Sequence, residues 1–339
     1  MKRISPFMKL TIALVLFCAV LLLIRILQPE QLTSEPTTQT NAASSEQKPA
    51  KVILRGKTMG TTFAITIEGL SDALRLPEIE SAIKQRLVDI NQVMSTYIPA
   101  SEISKFNRSQ TTDWYDVSKE LLGIVQLAQS ISVQSQGAFD ITVGPAVNLW
   151  KFGPQTEASS TNRSDIPTAD DVAQVLKHIG YQQLHTRENP PGFKKDDPQL
   201  QMDLSAIAKG YAVDQIVELL AALQLDIQYM VEIGGEIRTV SHPQNRNNRR
   251  KWRLGIQDPS GEVGTAKRIV AVNNQAIATS GDYVNYYEIE GVRYSHTIDP
   301  TTAKPVQHPL ASTVVITDTC AAADAWATAL LVLGPKRAY

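Results

Sequence analysis

The sequence predicts an α+β fold of antiparallel sheets and packed helices, and two observations support this prediction. Most segments with apolar residues at helical spacing come early in the folded region, whereas strand-like segments dominate its second half. Short turns such as SGD (280–282) and IEGV (289–292) join the strand-like segments, which is typical of antiparallel hairpins. A doubly wound parallel sheet would instead alternate strands with helices along the chain.

Apolar residues recur at helical spacing in several segments, which are 78–97, 118–137, 168–180, 205–224 and 320–334. Ser118 is the predicted N-cap of the second of these helices, and Gly137 is its predicted end. Asp203 or Ser205 is the predicted N-cap of the fourth helix.

The strand-like segments are 61–69, 228–235, 251–258, 268–281, 287–291 and 312–317. Gly60 lies inside the strand-like run MGTTF (59–63), and Gly234 and Gly235 lie within the run 228–235. Glycines in such positions indicate either a β-bulge or a stretch of bare backbone against which a ligand can lie. The segment 154–168 is a predicted polar loop.

The N-terminus predicts a membrane attachment. Lys2, Arg3 and Lys9 precede the uncharged apolar run 10–24, which indicates a signal anchor or signal peptide over residues 1–28. An uncleaved anchor is favoured, which places the body at the cell inner membrane on the periplasmic side. Lipidation of Cys18 after cleavage is the alternative.

Composition divides the rest of the chain into a linker and a folded domain, and the charge does not favour a nucleic-acid partner. Residues 29–50 are polar and rich in Pro, Ser and Thr, so they indicate a flexible linker, and 51–339 forms the folded domain. The net charge of -1 does not favour nucleic acid as a partner, and the basic run 245–251 is typical of a solvated hairpin loop. The two cysteines, Cys18 and Cys320, leave no disulfide within the domain.

Two further segments have the residue types of a nucleotide site. The segment GAFDITVGPAVNLWKFGP (137–154) either lines a pocket for a flat ring system or caps the core. In DLSAIAKGY (203–211), Lys209 lies close to a helix start, where free amides and the helix dipole suit phosphate.

Two more features indicate a cation and a base. Asp324 and Thr328 lie at i and i+4 on one helix face, where both can reach one hard cation such as Mg²⁺. The alternative is that the Thr328 hydroxyl bonds back to its own helix. In SHTIDPTTAKP (295–305), His296 is either an ordinary strand-end residue or an imidazole that the turn, together with Asp299, holds toward a ligand.

The order of these motifs is more specific than any one of them. MGTTF, MSTYIPASEISKFN, GAFDITVGPAVNLW, DLSAIAKGYAVD, VEIGGEIR, AIATSGDY, SHTIDPTTAKP and AADAWATALLVLGP follow one another over residues 52–336. In this order they resemble the ApbE family of FAD:protein FMN transferases. The chain ends at LVLGPKRAY, where family members usually continue through another helix and strand, so a C-terminal truncation is expected.

The resemblance implies a T-fold-like α+β body that transfers FMN from FAD, with Mg²⁺, to a threonine hydroxyl of an acceptor protein and releases AMP. It implies that His296 is catalytic and that the metal ligands are the Ala206 carbonyl, Asp324 and Thr328. The residues that it implies at FAD are Met59, Tyr97, Ala138, Phe139, Asp140, Lys209, Gly234, Gly235, Ile298 and Asp299. The acceptors it suggests are subunits of sodium-pumping NADH:quinone reductase or of the Rnf complex.

Two alternative functions use the same site. An Mg²⁺-dependent FAD pyrophosphatase would use water where the transferase uses threonine, and an envelope flavin-binding protein would need no acceptor. His296 and the Asp324–Thr328 pair favour chemistry over storage, because binding alone requires neither.

Overall fold

The computed structural model describes residues 51–70, 73–154, 166–241, 252–262, 264–283 and 285–338. The predicted anchor (1–28), linker (29–50) and basic loop (245–251), and most of the polar loop 154–168, lie outside these residues. Within the described part of the chain, no helix is both long and apolar enough to cross a membrane.

The described helices include all five that the sequence predicts. They are α1 (Leu76–Met94), α2 (Glu102–Arg108), α3 (Lys119–Gln134), α4 (Gly144–Leu149), α5 (Ala169–Leu176), α6 (Ala208–Ala222) and α7 (Cys320–Arg337), with 3-10 turns at Ala73–Arg75 and Tyr181–Gln183. The predicted cap of α3 is confirmed, since the Ser118 side chain accepts a hydrogen bond from the Leu121 amide.

The start predicted for α6 is wrong by three residues. The helix begins at Ala208, and the Asp203 carboxylate accepts the Ser205 amide at 2.7 Å in a separate local turn. Aspartate side chains often bond to the backbone two residues ahead, and this competes with helix capping. Consequently Lys209 lies in the first turn of α6.

A six-stranded antiparallel sheet forms the centre of the fold. Across the sheet its strands are β1 (Lys51–Thr58), β2 (Thr61–Glu68), β6 (Gln228–Ile233), β7 (Glu236–Val240), β10 (Ala276–Gly281) and β15 (Ser312–Thr317). Helices α6 and α7 pack against this sheet and against each other. The predicted class of antiparallel sheet with packed helices is thereby confirmed.

Small antiparallel sheets surround the central one. They pair β3 (Tyr115–Asp116) and β4 (Leu184–Arg187) with β5 (Gly192–Lys195), β8 (Trp252–Gln257) with β9 (Ala266–Val272), β11 (Tyr286–Ile289) with β12 (Val292–Ser295), and β13 (Ile298–Asp299) with β14 (Lys304–Pro305). The segment 268–281, predicted as one strand, is divided between β9 and β10.

The glycines predicted as strand bulges form hairpin turns. Met59 and Gly60 join β1 to β2 with φ of 48° and 73°, and Gly234 and Gly235 join β6 to β7 with φ of 60° and 100°. Two successive positive φ values match the right-handed twist of hairpin strands, so this turn type favours glycine. The bulge interpretation is therefore wrong at both places, and both turns lie at the same end of the sheet, because β2 pairs directly with β6.

Candidate active site

A buried ion cluster joins α6, α7 and β7. The Lys209 ammonium lies 3.3 Å from Glu236 Oε1 and 3.7 Å from Asp324 Oδ1. Only 4% of the Glu236 side chain and 3% of the Asp324 side chain are exposed, compared with 26% of the Lys209 side chain. One cation therefore faces two carboxylates at the edge of the protein interior, which leaves an excess of negative charge.

The cluster shifts the titration of its members. Burial opposes the charged form of Lys209, but Asp324 and Glu236 outweigh it, so the pKa of Lys209 lies above its ordinary value. Burial raises the pKa of Glu236 above its ordinary value, and the Asp324 charge adds to this while Lys209 counteracts it. Lys209 is thus a permanent cation at neutral pH.

Helices α6 and α7 approach each other most closely at Gly210. A Cβ atom there would lie 2.2 Å from the Cys320 carbonyl oxygen and 2.8 Å from Asp324 Cβ. The Gly210 amide donates a hydrogen bond to Asp324 Oδ2 at 3.0 Å. The absence of a side chain at Gly210 therefore brings the Asp324 carboxylate against α6.

Gly210→Ala is expected to destabilise the protein by about 3 kcal/mol, because the added methyl group overlaps fixed backbone atoms. Gly123→Ala is the matched control, since Gly123 lies on the exposed face of α3 with nothing within 4 Å of its added Cβ. We expect it to stabilise the protein by about 0.5–1 kcal/mol. Urea denaturation of both variants gives the two values, and equal stability would contradict the close helix crossing.

The start of α7 is capped from another helix. Asp214 on α6 accepts the amides of Cys320 and Ala321, both at 2.9 Å, and Arg238 on β7 donates to the same carboxylate at 2.6 Å. The Thr319 side chain at the helix entrance makes no capping bond. Because these contacts fix the first turn of α7, they also fix Asp324 one turn further along.

The residues predicted to hold a metal suit a hard cation. The Gly210 amide donates to Asp324 and not to the Ala206 carbonyl four residues before it, which leaves that carbonyl without its usual helical donor. Thr328 Oγ1 lies 3.0 Å from Ser280 Oγ. The predicted alternative, in which the Thr328 hydroxyl bonds back to its own helix, therefore does not describe this contact. A carbonyl, a carboxylate and a hydroxyl are the oxygen ligands that Mg²⁺ accepts. Among the described residues, no group of three or more His, Cys, Asp or Glu side chains forms a separate metal site.

The β6–β7 hairpin turn borders the ion cluster, and the β1–β2 turn lies beside it at the same end of the sheet. A Cβ at Gly234 would lie 2.8 Å from Thr61 Cγ2 and 3.3 Å from Lys209 Cδ, so the β6–β7 turn packs directly on Lys209 and on the start of β2. Gly235 has no atom within 4 Å of its added Cβ and therefore faces open space. Met59 is half-buried at the β1–β2 turn and lines a surface cavity with Thr58. The predicted contacts Met59, Gly234, Gly235 and Lys209 thus come from adjacent elements.

His296 is held as a neutral base. Its Nδ1 lies 3.0 Å from the Asn285 carbonyl oxygen, an acceptor only, so Nδ1 carries the proton and Nε2 keeps its lone pair. Burial is the main cause that lowers the pKa of His296, the Lys209 charge lowers it further, and Asn285 and Asp282 counteract both. The Lys209 charge therefore reaches His296 electrostatically and favours its neutral form.

Aromatic rings form the wall beside His296. Trp150 stacks on Tyr294 at 5.6 Å, Tyr294 on Tyr287 at 5.5 Å, and Tyr287 lies 5.3 Å from Phe152. Phe152 meets the His296 ring edge to face at 6.3 Å. The aromatic end of the segment 137–154 therefore reaches His296, whereas its beginning packs in the core.

The predicted FAD contacts Tyr97, Ile298 and Asp299 differ in their exposure. The Tyr97 hydroxyl donates to the Phe152 carbonyl at 3.2 Å, and its side chain is 63% exposed, so it can still contact a ligand. Ile298 is buried in the cluster around Trp150. The Asp299 carboxylate accepts the Thr301 amide at 2.8 Å and closes the turn after β13.

The GAFD residues lie largely in the protein interior. Ala138 and Phe139 are buried, and Phe139 belongs to the main core. The Asp140 carboxylate accepts the Thr142 amide at 2.8 Å and the Tyr181 amide at 2.7 Å. These bonds already engage the carboxylate that the resemblance assigns to FAD, so the structure gives Asp140 a role in shaping the loop.

Sequence reasoning missed Glu236, Gly210 and Asp214 as site residues. Glu236 follows the paired glycines in VEIGGEIR, and Gly210 follows Lys209 in DLSAIAKG, so proximity to the motifs is the only available signal. Asp214 lies on α6 four residues after Gly210, and nothing in the sequence indicates that it caps a helix about one hundred residues later.

Comparison with known proteins places this geometry in a family. The ApbE family model matches residues 59–339. An FAD:protein FMN transferase of Vibrio cholerae is 40% identical over 296 residues, which cover 86% of this chain and 84% of that protein. One of Escherichia coli K12 is 38% identical over 288 residues, which cover 84% of this chain and 79% of that protein.

Solved structures agree with these relatives. The flavin transferase ApbE of Vibrio cholerae superposes with a TM-score of 0.74 at 38% identity, over 86% of this chain and 89% of that one. The ApbE protein of Thermotoga maritima superposes with a TM-score of 0.75 at 28% identity, over 85% and 88% of the two chains. The family resemblance predicted from the motifs is confirmed, and the chain belongs to the ApbE family.

Proposed function

We propose that this protein transfers FMN from FAD to a threonine hydroxyl of an acceptor protein, with Mg²⁺, and releases AMP. The observation that supports this most directly is the Lys209–Asp324–Glu236 cluster, whose Lys209 charge contributes to the lowered pKa of His296. The relatives named FAD:protein FMN transferases support the same reaction.

The chain's own groups suit a pyrophosphate substrate. Ala206, Asp324 and Thr328 would hold Mg²⁺, which supplies charge neutralisation of the pyrophosphate and stabilises the leaving AMP. Lys209 is a fixed cation beside the open backbone of Gly235, where a phosphate can approach closely. Phe152 and Tyr97 offer ring surfaces on which a planar flavin or adenine can stack.

In this step His296 acts as the base that takes the proton of the acceptor hydroxyl. The acceptor hydroxyl oxygen forms a new bond to the FMN phosphorus, and the bond between that phosphorus and the bridging oxygen of AMP breaks. The hydroxyl proton passes to His296 Nε2, because Nδ1 is already protonated and bonded to the Asn285 carbonyl. The lowered pKa of His296 keeps Nε2 able to accept this proton at neutral pH.

One labelling experiment tests the reaction. The purified full-length chain is incubated with FAD, Mg²⁺ and an acceptor carrying a family-type S/T-G-A-T segment, and covalent flavin fluorescence is read in a denaturing gel. Candidate acceptors are the NADH:quinone reductase and Rnf subunits that the resemblance suggests. We expect acceptor labelling with AMP release. FMN and AMP without labelling would indicate the pyrophosphatase, and neither product would indicate a flavin-binding protein.

The location of the reaction is a proposal from the sequence. The basic residues before the apolar run 10–24 support anchoring in the inner membrane with the enzyme on the periplasmic side. Fractionation of cells expressing the full chain, followed by protease treatment of spheroplasts, tests this. Protection of the protein from protease would contradict it.

A further inference from the structure

Lys209 has three acceptors, and they are not equivalent. Its ammonium lies 3.3 Å from Glu236 Oε1, 3.5 Å from the Ser205 carbonyl and 3.7 Å from Asp324 Oδ1. A salt bridge strengthens as the charges approach, particularly at low exposure. Glu236 is therefore the nearer counterion of Lys209, and Asp324 is the more distant one.

Glu236 in turn depends on Lys209. The residue is 3% exposed, and its Oε2 has no hydrogen-bond partner among the described residues. Burying a carboxylate without a compensating cation raises the free energy of the folded protein. This favours a position of the Lys209 ammonium close to Glu236. Glu236 directly follows the Gly234–Gly235 turn and is the first residue of β7, so its position belongs to the central sheet.

Asp324 lies at the point where two cations meet. Its Oδ2 accepts the Gly210 amide, and its Oδ1 is the atom nearest Lys209. In the proposed function the same carboxylate holds Mg²⁺. If the Lys209 ammonium moved onto Asp324, it would neutralise that carboxylate. Binding of a divalent cation there would then be weaker, because both cations compete for one negative charge.

We propose that Glu236 is a positioning residue that holds Lys209 away from Asp324 and thereby leaves the Asp324 carboxylate to the divalent cation. This inference rests on the proposed function, since it takes Asp324 as a metal ligand. It assigns the Gly-Gly-Glu turn a role in metal affinity that is separate from backbone contact with a ligand.

The test measures metal binding directly. Mn²⁺ is titrated into the FAD-saturated full-length protein, free Mn²⁺ is counted by electron paramagnetic resonance, and a titration of FAD alone is subtracted. We expect Glu236→Gln to weaken Mn²⁺ binding about tenfold, because Lys209 loses its nearer counterion and shifts to Asp324. Glu236→Asp keeps the charge but shortens the side chain by one methylene group, and we expect it to weaken binding about threefold.

The Glu236→Asp variant separates position from net charge. If only the local net charge mattered, Glu236→Asp would bind Mn²⁺ like the wild type, and that result would overturn the proposal. The double variant Glu236→Gln with Lys209→Met should restore affinity to within about twofold of the wild type, because the competing ammonium is gone. Failure of this double variant to recover would also overturn it.

Two further measurements distinguish the positioning role from a structural role and from the transferase activity. Thermal unfolding without metal should be similar for the wild type and Glu236→Gln, whose side chain has the same shape, and a large loss of stability would assign Glu236 a purely structural role. Acceptor labelling by the wild-type protein reports separately on the proposed function. A wild type that binds Mn²⁺ as expected but does not label an acceptor would leave the positioning role intact and reject the transferase.

Discussion

Replacing His296 with alanine is expected to reduce FMN transfer by about 10²–10⁴-fold while FAD binding persists. The Lys209 charge contributes to the lowered pKa of this ring, and its Nε2 is free to take the proton. Transfer is measured by covalent flavin labelling, and binding by equilibrium dialysis with FAD. Full activity in His296→Ala would remove this residue from the mechanism.

Two variants control for indirect effects. His296→Asn can keep the hydrogen bond to the Asn285 carbonyl through its amide, yet it has no basic nitrogen, so it should be as slow as His296→Ala. His185→Ala removes an exposed histidine of β4 that pairs with Asp196 at 2.8 Å, and it should leave transfer unchanged.

The pH dependence of the transfer rate tests the same role of His296 as a base. A general base works in its unprotonated form, and burial lowers the pKa of His296 below its usual value of about 6.5. The transfer rate should therefore rise as pH increases through a midpoint below about 6.5 and stay level above it. His296→Ala should lose this acidic limb together with most of its activity.

Asp324→Asn is the second change with a large expected effect. The amide oxygen can still accept the Gly210 amide bond, so the crossing of α6 and α7 should survive, but the charge that a divalent cation needs is lost. We expect at least about 10²-fold slower transfer and a correspondingly higher Mg²⁺ requirement. Transfer is assayed over a range of Mg²⁺ concentrations, and wild-type Mg²⁺ dependence in this variant would contradict the metal assignment.

Thr328 provides the matched comparison on the same helix face. Thr328→Ser retains the hydroxyl and should keep most of the activity, whereas Thr328→Val keeps the shape and loses the ligand atom. We therefore expect Thr328→Val to require more Mg²⁺ than Thr328→Ser. Equal Mg²⁺ requirements would leave the Ser280–Thr328 contact as the whole role of this hydroxyl.

Local patterns predict most of the fold. The helical periodicity of 78–97 and the Ser118 cap correspond to α1 and α3, because these signals depend on neighbours three or four residues away. The paired glycines suggest bulges from the sequence alone, because β1 is not evident as a strand and β6 continues into β7 as one apparent run. Hairpin turns are recognised only when both flanking strands are known.

The candidate site is only partly predictable from the sequence. The residue types at His296, Lys209, Asp324 and Thr328 follow from motifs that the sequence presents in a specific order. The GAFD motif predicts ligand contact, yet Phe139 lies in the core and Asp140 bonds to the Thr142 and Tyr181 amides. Burial is a property of the packed chain, so a motif alone does not distinguish a contact residue from one that supports the loop.

The sequence by itself determined the family, the five longer helices, several of the strands, and the residue types available for chemistry at His296, Lys209 and Asp324. Only the tertiary structure decided that Glu236 is the nearer counterion of Lys209, and that Gly210 lets α7 bring Asp324 against α6. The physical reason is the separation along the chain between the residues that interact. Capping and periodicity act within a few residues along the chain, whereas the charge balance of the cluster depends on groups from α6, β7 and α7 that meet only when the chain is folded.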